Sequence, residues 1–249
     1  MVSVRVVGPG RAGLSVAAAL ADAGCPVRGV LGRDHDVTGA AAGVDALVLA
    51  VPDAELAPVA AAVDPVADTV VLHLSGALGL DVLAPHPRRA SLHPLVPLPT
   101  TEVGRVRLRS GVTFAVAGDP LAGELAGLLD GRVIEVGDEH RAAYHAAACI
   151  AANHVVALLG QVERVAAGAG LPVDAFVGLT RAAVEDVAAL GPARALTGPA
   201  ARGDDATIER HRGALAALAP DELDGYDAGV ALARRLGASQ AGRELSPCG

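Results

Sequence analysis

Short runs of branched apolar residues alternate with alanine-rich, amphipathic stretches over the first half of the chain. A run such as 46–51 is apolar at every position, which is typical of a strand buried on both faces of a sheet. Strands that alternate with helices predict a mainly parallel sheet, because successive parallel strands need a crossover connection. The runs that predict the strands are residues 2–7, 27–31, 46–51, 69–74, 90–93, 113–117 and 132–136.

The pattern changes near Gly137, after which no run of comparable strand character appears in the sequence. Residues 139–167, 172–190, 205–218 and 221–236 instead have the composition and spacing of helices. We therefore predict an α/β fold class. It has a first domain over residues 1–137, an all-helical domain for substrate binding and dimerisation over 138–238, and a flexible polar tail over 239–249.

The first strand leads into Gly8-Pro9-Gly10-Arg11-Ala12-Gly13, which fits the pattern G-x-G-x-x-G and opens a helix. In this setting Gly8 permits a tight turn, Gly10 lets the backbone approach a pyrophosphate, and Gly13 allows close packing of the helix on the sheet. The helix N-terminus offers free N–H groups to the phosphates. The first domain is therefore predicted to be a Rossmann-type domain that binds a dinucleotide; the alternative is a glycine turn without a ligand.

Residues at the ends of the following strands bear on which dinucleotide binds. Arg33 follows the second strand, where a guanidinium would suit the 2′-phosphate of NADP(H). The alternative is a solvated Arg33, with Asp34 bonding a ribose hydroxyl of NAD. Val51 and Pro52 after the third strand, and Ser75 after the fourth, are predicted to pass near the ribose and nicotinamide, or else to form simple turns.

Composition narrows the chemistry further. The net charge is −8 and the 20 basic residues are scattered, which argues against a nucleic-acid surface. The three cysteines are far apart and give no metal-ligand spacing, so they suit a reducing compartment. No apolar run reaches the roughly 18 residues of a membrane span, and the first residues do not resemble a signal peptide, so we expect a cytoplasmic enzyme. Every basic residue is an arginine, so a transferred proton must come from histidine, tyrosine, cysteine, a carboxylate or water.

Two histidines are candidate catalytic residues. His93 closes a short apolar strand before a proline-rich loop, and it either faces the cofactor or is structural. His145, Cys149 and Asn153 are four residues apart, which predicts that they share one face of a helix. A histidine such as His145 can donate a proton, and Asn153 can bond a carbonyl or hydroxyl group. The alternatives are a solvated His145 and an Asn153 that bonds a neighbouring helix.

A segment with glycine and proline interrupts the later helices. In it, Thr197 and Arg202 are candidate ligands for an anionic group of the substrate, because a guanidinium matches the two oxygens of a carboxylate. The alternative is a connecting loop without a ligand. Asp204 or Asp205 is predicted to cap the next helix.

Four motifs together resemble one bacterial family. They are residues 8–13, Ser91-Leu92-His93-Pro94-Leu95, Tyr144-His145-Ala146-Ala147-Ala148 through Asn153-His154, and Leu196-Thr197-Gly198-Pro199 with Arg202-Gly203-Asp204. Members of this family pair a Rossmann-like domain with a helical C-terminal domain long catalogued as of unknown function. The family is similar in architecture to pyrroline-5-carboxylate reductases and β-hydroxyacid dehydrogenases, and some members look like alternative ketopantoate reductases of pantothenate biosynthesis.

The resemblance implies an NADPH-dependent reductase of a small carbonyl compound, with 2-dehydropantoate (ketopantoate) as the best single substrate. In better-known relatives a lysine and an asparagine on the first helix of the second domain polarise the keto group and deliver the proton. The corresponding face of this lysine-free chain carries His145 and Asn153, which shifts the acid role to His145. The alternatives are an imine reductase of the pyrroline-5-carboxylate type and a non-catalytic NADP-binding regulatory protein. Small residues over 142–157 also predict close helix packing and a homodimer.

Overall fold

The computed structural model describes residues 1–244, and it describes side chains through residue 238. The chain forms two compact units, the first being Met1–Ala152 and the second beginning at Asn153. Residues 138–152, which the sequence pattern assigns to the helical domain, thus belong to the first unit. The reason is local bonding, since Asp138 and Arg141 hydrogen-bond to residues at and after the sheet strands.

Seven strands form one sheet in the first unit. Their bounds are β1 (Val4–Val7), β2 (Val27–Leu31), β3 (Ala46–Leu49), β4 (Val70–His73), β5 (Arg88–Pro94), β6 (Thr113–Gly118) and β7 (Arg132–Glu135). The strand order is β2-β1-β3-β4-β5-β6-β7, and every neighbouring pair is parallel except β5 and β6. The seven predicted strands and the mainly parallel sheet are confirmed.

Helices cover both faces of this sheet. They are α1 (Arg11–Asp22), α2 (Asp53–Ala62), α3 (Thr101–Leu108) and α4 (Leu121–Leu128). Helix α5 (Arg141–Cys149) follows β7, and short 3₁₀ turns lie at Leu80–Leu83 and Asp138–His140. Side chains from α1, α3 and α4 join one apolar core, and those from α2 join a second core. The sequence pattern does not predict α3 and α4, because each has only eight residues and contains glycine, a poor helix former.

Alternate residues of the inner strands supply the two cores. In β1, Val6 belongs to one core and Val7 to the other, and Val48 and Leu49 divide in the same way in β3. This follows from the two-residue period of a strand, whose successive side chains point to opposite faces. It also explains why these strands are apolar at almost every position, since neither face meets solvent.

The described part of the second unit is helical. A π-helical turn, Ile150–His154, leads into α6 (Val155–Gly168). The later helices are α7 (Asp174–Leu190), α8 (Pro192–Ala195), α9 (Pro199–Arg202), α10 (Asp205–Leu218) and α11 (Leu223–Glu244), with a 3₁₀ turn at Pro220–Glu222. Residues 239–244 of the predicted tail continue α11, and they include good helix formers such as alanine, glutamine and arginine. Residues 245–249 lie outside the described residues.

One helical stretch is unusually apolar. Asp138–Gly168 contains 31 residues, and by length and composition alone it could cross a membrane, with a mean hydropathy of 1.5 in its most apolar window. The stretch contains no unbroken apolar run of that length, because polar residues such as His145, Asn153 and Glu163 interrupt it. A single helix of this kind is weak evidence for a membrane. None of that window is buried in the chain's own fold, so the helix presents an apolar surface.

Candidate active site

The glycine turn after β1 has the geometry that its sequence predicts. Gly8 has a φ of +110°, a conformation that favours glycine, and a Cβ there would collide with the Ala50 carbonyl group. A Cβ at Gly13 would collide with the Gly8 carbonyl oxygen, so α1 packs directly on the turn. A Cβ at Gly10 would meet no atom within 4 Å.

The N-terminus of α1 can therefore receive an anion. Gly10 stands at the N-cap position and makes no side-chain hydrogen bond, so the first N–H groups of the helix have no side-chain cap. Pro9, Gly10 and Arg11 are exposed, whereas Ala12 is half-buried. Free N–H groups, open space beside Gly10 and the helix dipole together fit the pyrophosphate of a dinucleotide.

Arg33 lies in a turn next to this helix start. The Gly8 N–H group donates to the Leu31 carbonyl oxygen at 2.8 Å, which joins the end of β2 to the glycine turn. A Cβ at Gly32 would lie 3.5 Å from Pro9 Cγ, and Arg33 follows as an exposed residue. The turn is closed by two bonds between Gly32 and His35. This arrangement leaves the Arg33 guanidinium free to bind a phosphate near the turn.

The ends of β3 and β4 lie on the same edge of the sheet. Val51 is half-buried, and Pro52 is exposed at the N-cap of α2. Ser75 is buried, and its hydroxyl oxygen accepts hydrogen bonds from the Ala77 and Leu78 N–H groups at 3.1 Å each. The Ser75 side chain thus shapes its own loop, and its predicted contact with a cofactor stays a prediction.

Two predicted catalytic histidines meet beside Gly76. The rings of His93, at the end of β5, and His145, on α5, have centroids 6.1 Å apart. A Cβ on Gly76 would lie 2.9 Å from His93 Nε2 and 2.8 Å from His145 Cδ2, so only glycine fits between the rings. His93 Nδ1 hydrogen-bonds to the Tyr144 hydroxyl group at 2.6 Å, with the two rings edge to face. Three ionisable side chains therefore converge after β4 and β5.

Burial sets the protonation of this cluster. Burial, together with the smaller effects of the nearby His145 and Arg141, lowers the pKa of His93 to about 4. It also raises the pKa of the Tyr144 phenol, which the positive charge of Arg141 partly offsets. At neutral pH His93 is therefore an uncharged imidazole, and Tyr144 retains its proton.

A second buried histidine shapes the adjoining loop. His73 is fully buried at the end of β4, and burial lowers its pKa. Its Nδ1 accepts from the Ser75 N–H group at 3.2 Å, so its Nε2 carries the proton and donates to the Gly79 carbonyl oxygen at 3.2 Å. His73 thereby fixes the loop that carries Gly76.

Arg141 places a buried positive charge behind the histidines. Its side chain is 1% exposed and donates to Ser91 Oγ at 2.6 Å and to the Val136 carbonyl oxygen at 3.1 Å. Its Nε atom is buried without a hydrogen bond and lies 3.6 Å from the partly exposed carboxylate of Asp138. Burying a charge with only partial compensation is costly, and such sites are frequently functional.

Asn153, Thr197 and Arg202 belong to the second unit. The three are exposed, and Asn153 lies in the π-helical turn. The α-helical spacing that predicts a shared face therefore holds only from His145 to Cys149, whose Nε2 and Sγ atoms are 3.9 Å apart. Substrate contacts by Asn153, Thr197 and Arg202 stay predictions.

The segment around Arg202 is partly helical. Arg202 ends the short helix α9, where the sequence predicts a loop. The predicted cap of α10 is confirmed for Asp204, whose carboxylate accepts from the Thr207 N–H group at 3.0 Å.

Sequence reasoning misses three members of the cluster. Tyr144 is one of only two tyrosines in the chain, and it precedes the predicted His145, yet a helical pattern does not show that its ring turns towards β5. Arg141 is one of 20 arginines, and only the fold shows that it is buried. Gly76 directly follows Ser75 in a loop predicted to line the crevice, and a glycine at such a position indicates that other groups can approach the backbone closely.

Surface cavities lie in both units. The cavity of about 420 Å³ in the first unit is lined by residues at the ends of β6 and β7, including Gly118, Asp119 and Glu135, and not by the clustered histidines. The cavity of about 400 Å³ in the second unit is almost wholly apolar and includes Phe176, His211 and Tyr226.

Two family models match this chain. Residues 33–99 match a Rossmann-like domain, and residues 111–233 match a domain of unknown function, DUF2520. The chain therefore combines a Rossmann-like domain with a DUF2520 domain. This confirms the resemblance to a family with a Rossmann-like domain and a helical C-terminal domain of unknown function. No curated protein matches the sequence.

Solved structures share the fold along nearly the whole chain. A Bacteroides fragilis protein, provisionally described as an NADP oxidoreductase, is 18% identical, with a TM-score of 0.77 over 94% of this chain and 98% of its own. Protein TM1727 from Thermotoga maritima is 23% identical, with a TM-score of 0.73 over 96% and 99%. A reductive aminase from Aspergillus terreus, solved with NADPH4, cyclohexanone and allyl amine, is 16% identical, with a TM-score of 0.65 over 98% and 95%. At these identities the likeness establishes the fold.

Proposed function

We propose that this chain is an NADPH-dependent reductase of a small keto or imine compound. The observation that carries the proposal is the meeting of His93 and His145 at Gly76, on the edge of the sheet that also carries the glycine turn. Strands β1, β3, β4 and β5 are parallel, so their carboxyl ends share this edge. In open α/β sheets, ligands bind at that edge.

NADP(H) is the proposed cofactor. The N–H groups at the start of α1 would hold the pyrophosphate, with Gly10 giving the backbone close access. Arg33 would bind the 2′-phosphate, because its turn is bonded to the glycine turn and its guanidinium is exposed. When bound, NADPH supplies the hydride. The names of the Bacteroides and Aspergillus structures, which mention NADP and NADPH, support the same choice.

The histidine cluster supplies polarisation and a proton. Hydride addition leaves a negative charge on a carbonyl oxygen, and a positioned donor typically contributes about 10²–10⁴-fold to the rate. The imidazoles of His93 and His145 are the candidate donors in this lysine-free chain. Asn153, Thr197 and Arg202 are the proposed contacts for the substrate's carbonyl and carboxylate groups.

Two substrate classes compete. Ketopantoate is the first compound to test, because some members of the resembling family look like ketopantoate reductases. An imine is the second, and the reductive aminase among the similar structures favours it. The same hydrogen-bond donor would serve both, by protonating the oxygen of a ketone or the nitrogen of an imine.

A substrate panel followed by the absorbance of NADPH tests the proposal. The panel contains ketopantoate, pyrroline-5-carboxylate and a cyclic imine, and His145→Ala and His93→Gln are the matched variants. We expect turnover of one class and a loss of at least about 10-fold in kcat for one variant. Tight NADPH binding with no oxidation across the panel would instead favour a regulatory protein.

We also propose that the chain forms a homodimer through its second unit. Helix α7 has 17 residues, many of them alanine, valine and leucine, and none of them is buried. Leu179 and Val184 are 69% and 58% exposed. A helix with no buried face gains little from tertiary packing, so an apolar partner surface is needed. A second copy offers the same apolar helix across a twofold axis.

A further inference from the structure

The Tyr144 hydroxyl group has one hydrogen-bond partner among the described residues, and that partner is His93 Nδ1 at 2.6 Å. Either the phenol donates to an unprotonated Nδ1, or a protonated Nδ1 donates to the phenol oxygen. In the second case the proton of the half-buried phenol would have no acceptor among the described residues. The first arrangement satisfies both groups, so the imidazole carries its proton on Nε2.

The Nε2 edge of His93 lies against Gly76. An ideal Cβ on Gly76 would lie 2.9 Å from His93 Nε2 and 2.8 Å from His93 Cε1, so this edge borders the crevice loop after β4. His145, on α5, also packs against Gly76, but its Nε2 lies 3.9 Å from Cys149 Sγ, a contact too weak to fix a tautomer firmly. His93 thus has a defined proton position, whereas His145 does not.

We propose that Tyr144 is a positioning residue that holds His93 in its Nε2–H tautomer and resupplies its proton, so that His93 is the group that protonates the substrate. This inference rests on the proposed reductase function and names the donor within it. It replaces His145, which the sequence favours, with the histidine of β5.

The proton transfer balances as a relay. As hydride reaches the carbonyl carbon, the C=O π bond becomes a lone pair on oxygen, and that oxygen takes the Nε2 proton of His93. The Tyr144 hydroxyl proton moves to Nδ1 at the same time, so the imidazole stays neutral and Tyr144 becomes tyrosinate. A water molecule then gives a proton to Nε2 and leaves as hydroxide, which bulk solvent neutralises, while the Nδ1 proton returns to Tyr144.

Arg141 suits this relay. Its buried positive charge lowers the pKa of the Tyr144 phenol against the larger opposing effect of burial. Hydrogen bonds to Ser91 Oγ and to the Val136 carbonyl oxygen hold the guanidinium in place. A fixed charge would stabilise the transient tyrosinate when the proton leaves.

The test compares two tyrosine variants. Tyr144→Phe removes the relay hydroxyl, while Tyr226→Phe removes the matching hydroxyl of the second unit, which bonds His211 Nδ1 at 2.8 Å with the rings edge to face. We expect Tyr144→Phe to lower kcat by about 10²-fold with little change in KM, and Tyr226→Phe to leave both unchanged. Equal, wild-type kcat values for the two variants would overturn the proposal.

The pH profile separates a relay from simple packing. We expect wild-type kcat to vary little between pH 6 and 8, because His93 is neutral there and Tyr144 is protonated. In Tyr144→Phe the imidazolium becomes the better donor, so kcat should rise as the pH falls. A profile that keeps its shape in Tyr144→Phe would count against the relay. The groups that act on the charge of His93 are Asp53, His73, Arg141, Tyr144 and His145.

A measurement without turnover keeps the proposal independent of the substrate. In protein with ¹⁵N-labelled histidine, His93 should show a protonated Nε2 and an unprotonated Nδ1 at pH 7, with its resonances identified by their loss in His93→Gln. Tyr144→Phe should mix the tautomers. An Nδ1–H tautomer in the wild type would refute the positioning role even if the enzyme were active. If no substrate reacts but the Nε2–H tautomer is found, the proposed function fails and the Tyr144–His93 arrangement stands.

Discussion

The half-buried, neutral His93 makes the first unit lose stability as the solution is acidified. Its pKa is about 4 in the fold, against 6.5 for an ordinary histidine. The unfolded chain therefore binds more protons between these two values, and the free energy of unfolding falls as the pH falls through that window. Each pKa unit corresponds to about 1.4 kcal/mol, so the full effect is about 3 kcal/mol, of which about 2 kcal/mol is lost between pH 7 and pH 5.

Tyrosine fluorescence can follow this unit alone. The chain has no tryptophan and two tyrosines, Tyr144 in the first unit and Tyr226 in the second. In a Tyr226→Phe background, urea unfolding monitored through Tyr144 reports the surroundings of His93. The unfolding free energy is measured at pH 7, 6 and 5, where most carboxylates remain ionised in both states.

His93→Gln in the same background is the control. A glutamine does not titrate, and its amide oxygen can still accept a hydrogen bond from Tyr144. We expect the loss of unfolding free energy between pH 7 and pH 5 to shrink by about 2 kcal/mol in this variant. His73 contributes in the same direction in both proteins, since burial also lowers its pKa. If both proteins lost the same free energy, His93 would not be held neutral by the fold, and the argument from its burial would be wrong.

Three further predictions concern the cofactor and the assembly. Gly10→Val should weaken NADPH binding, measured by calorimetry, at least about 10-fold with little change in Tm. Gly13→Val should instead lower Tm, because a Cβ at Gly13 collides with the backbone whereas a Cβ at Gly10 meets no atom within 4 Å. Arg33→Ala should raise the Kd for NADPH about 10-fold or more and leave NADH binding unchanged, since a charge-assisted bond is worth about 1.5–3 kcal/mol; an unchanged preference would contradict the assignment. Leu179→Glu should reduce the light-scattering mass from that of a dimer to that of a monomer, and a monomeric wild type would refute the dimer.

The sheet could be predicted because each of its strands has a recognisable sequence pattern of its own. Neither face of β3 meets solvent, so its four residues are all apolar, and a continuous apolar run of this length needs no knowledge of the rest of the fold. The glycine turn could be predicted from its own sequence pattern, and the local part of its packing is the contact of Gly13 with Gly8. The other part depends on the fold, because Gly8 packs against Ala50 at the end of β3. Helices α3 and α4 lack such marks, since one short helix has only a narrow apolar stripe.

The candidate site was only half predictable. His93 and His145 could be named because histidine is rare on an apolar strand end or an alanine-rich helix. Their meeting could not be predicted, because it depends on α5 belonging to the first unit, whereas its composition resembles that of the helices after it. The same error of boundary hid Tyr144, whose hydroxyl group reaches β5 only when residues 138–149 pack on the sheet.

The buried Arg141 gives a physical reason why the site uses neutral histidines. The charge of Arg141 lowers the pKa of both His93 and His73, in addition to the larger effect of burial, and so disfavours protonation of these two imidazoles. An ammonium donor in the same place would face the same repulsion, so a lysine there would have a strongly lowered pKa. A hydroxyl donor meets no such cost, because its loss of a proton creates a negative charge next to Arg141. The arginine therefore favours a donor that starts neutral and ends anionic, which among the clustered side chains is the phenol of Tyr144 acting through His93.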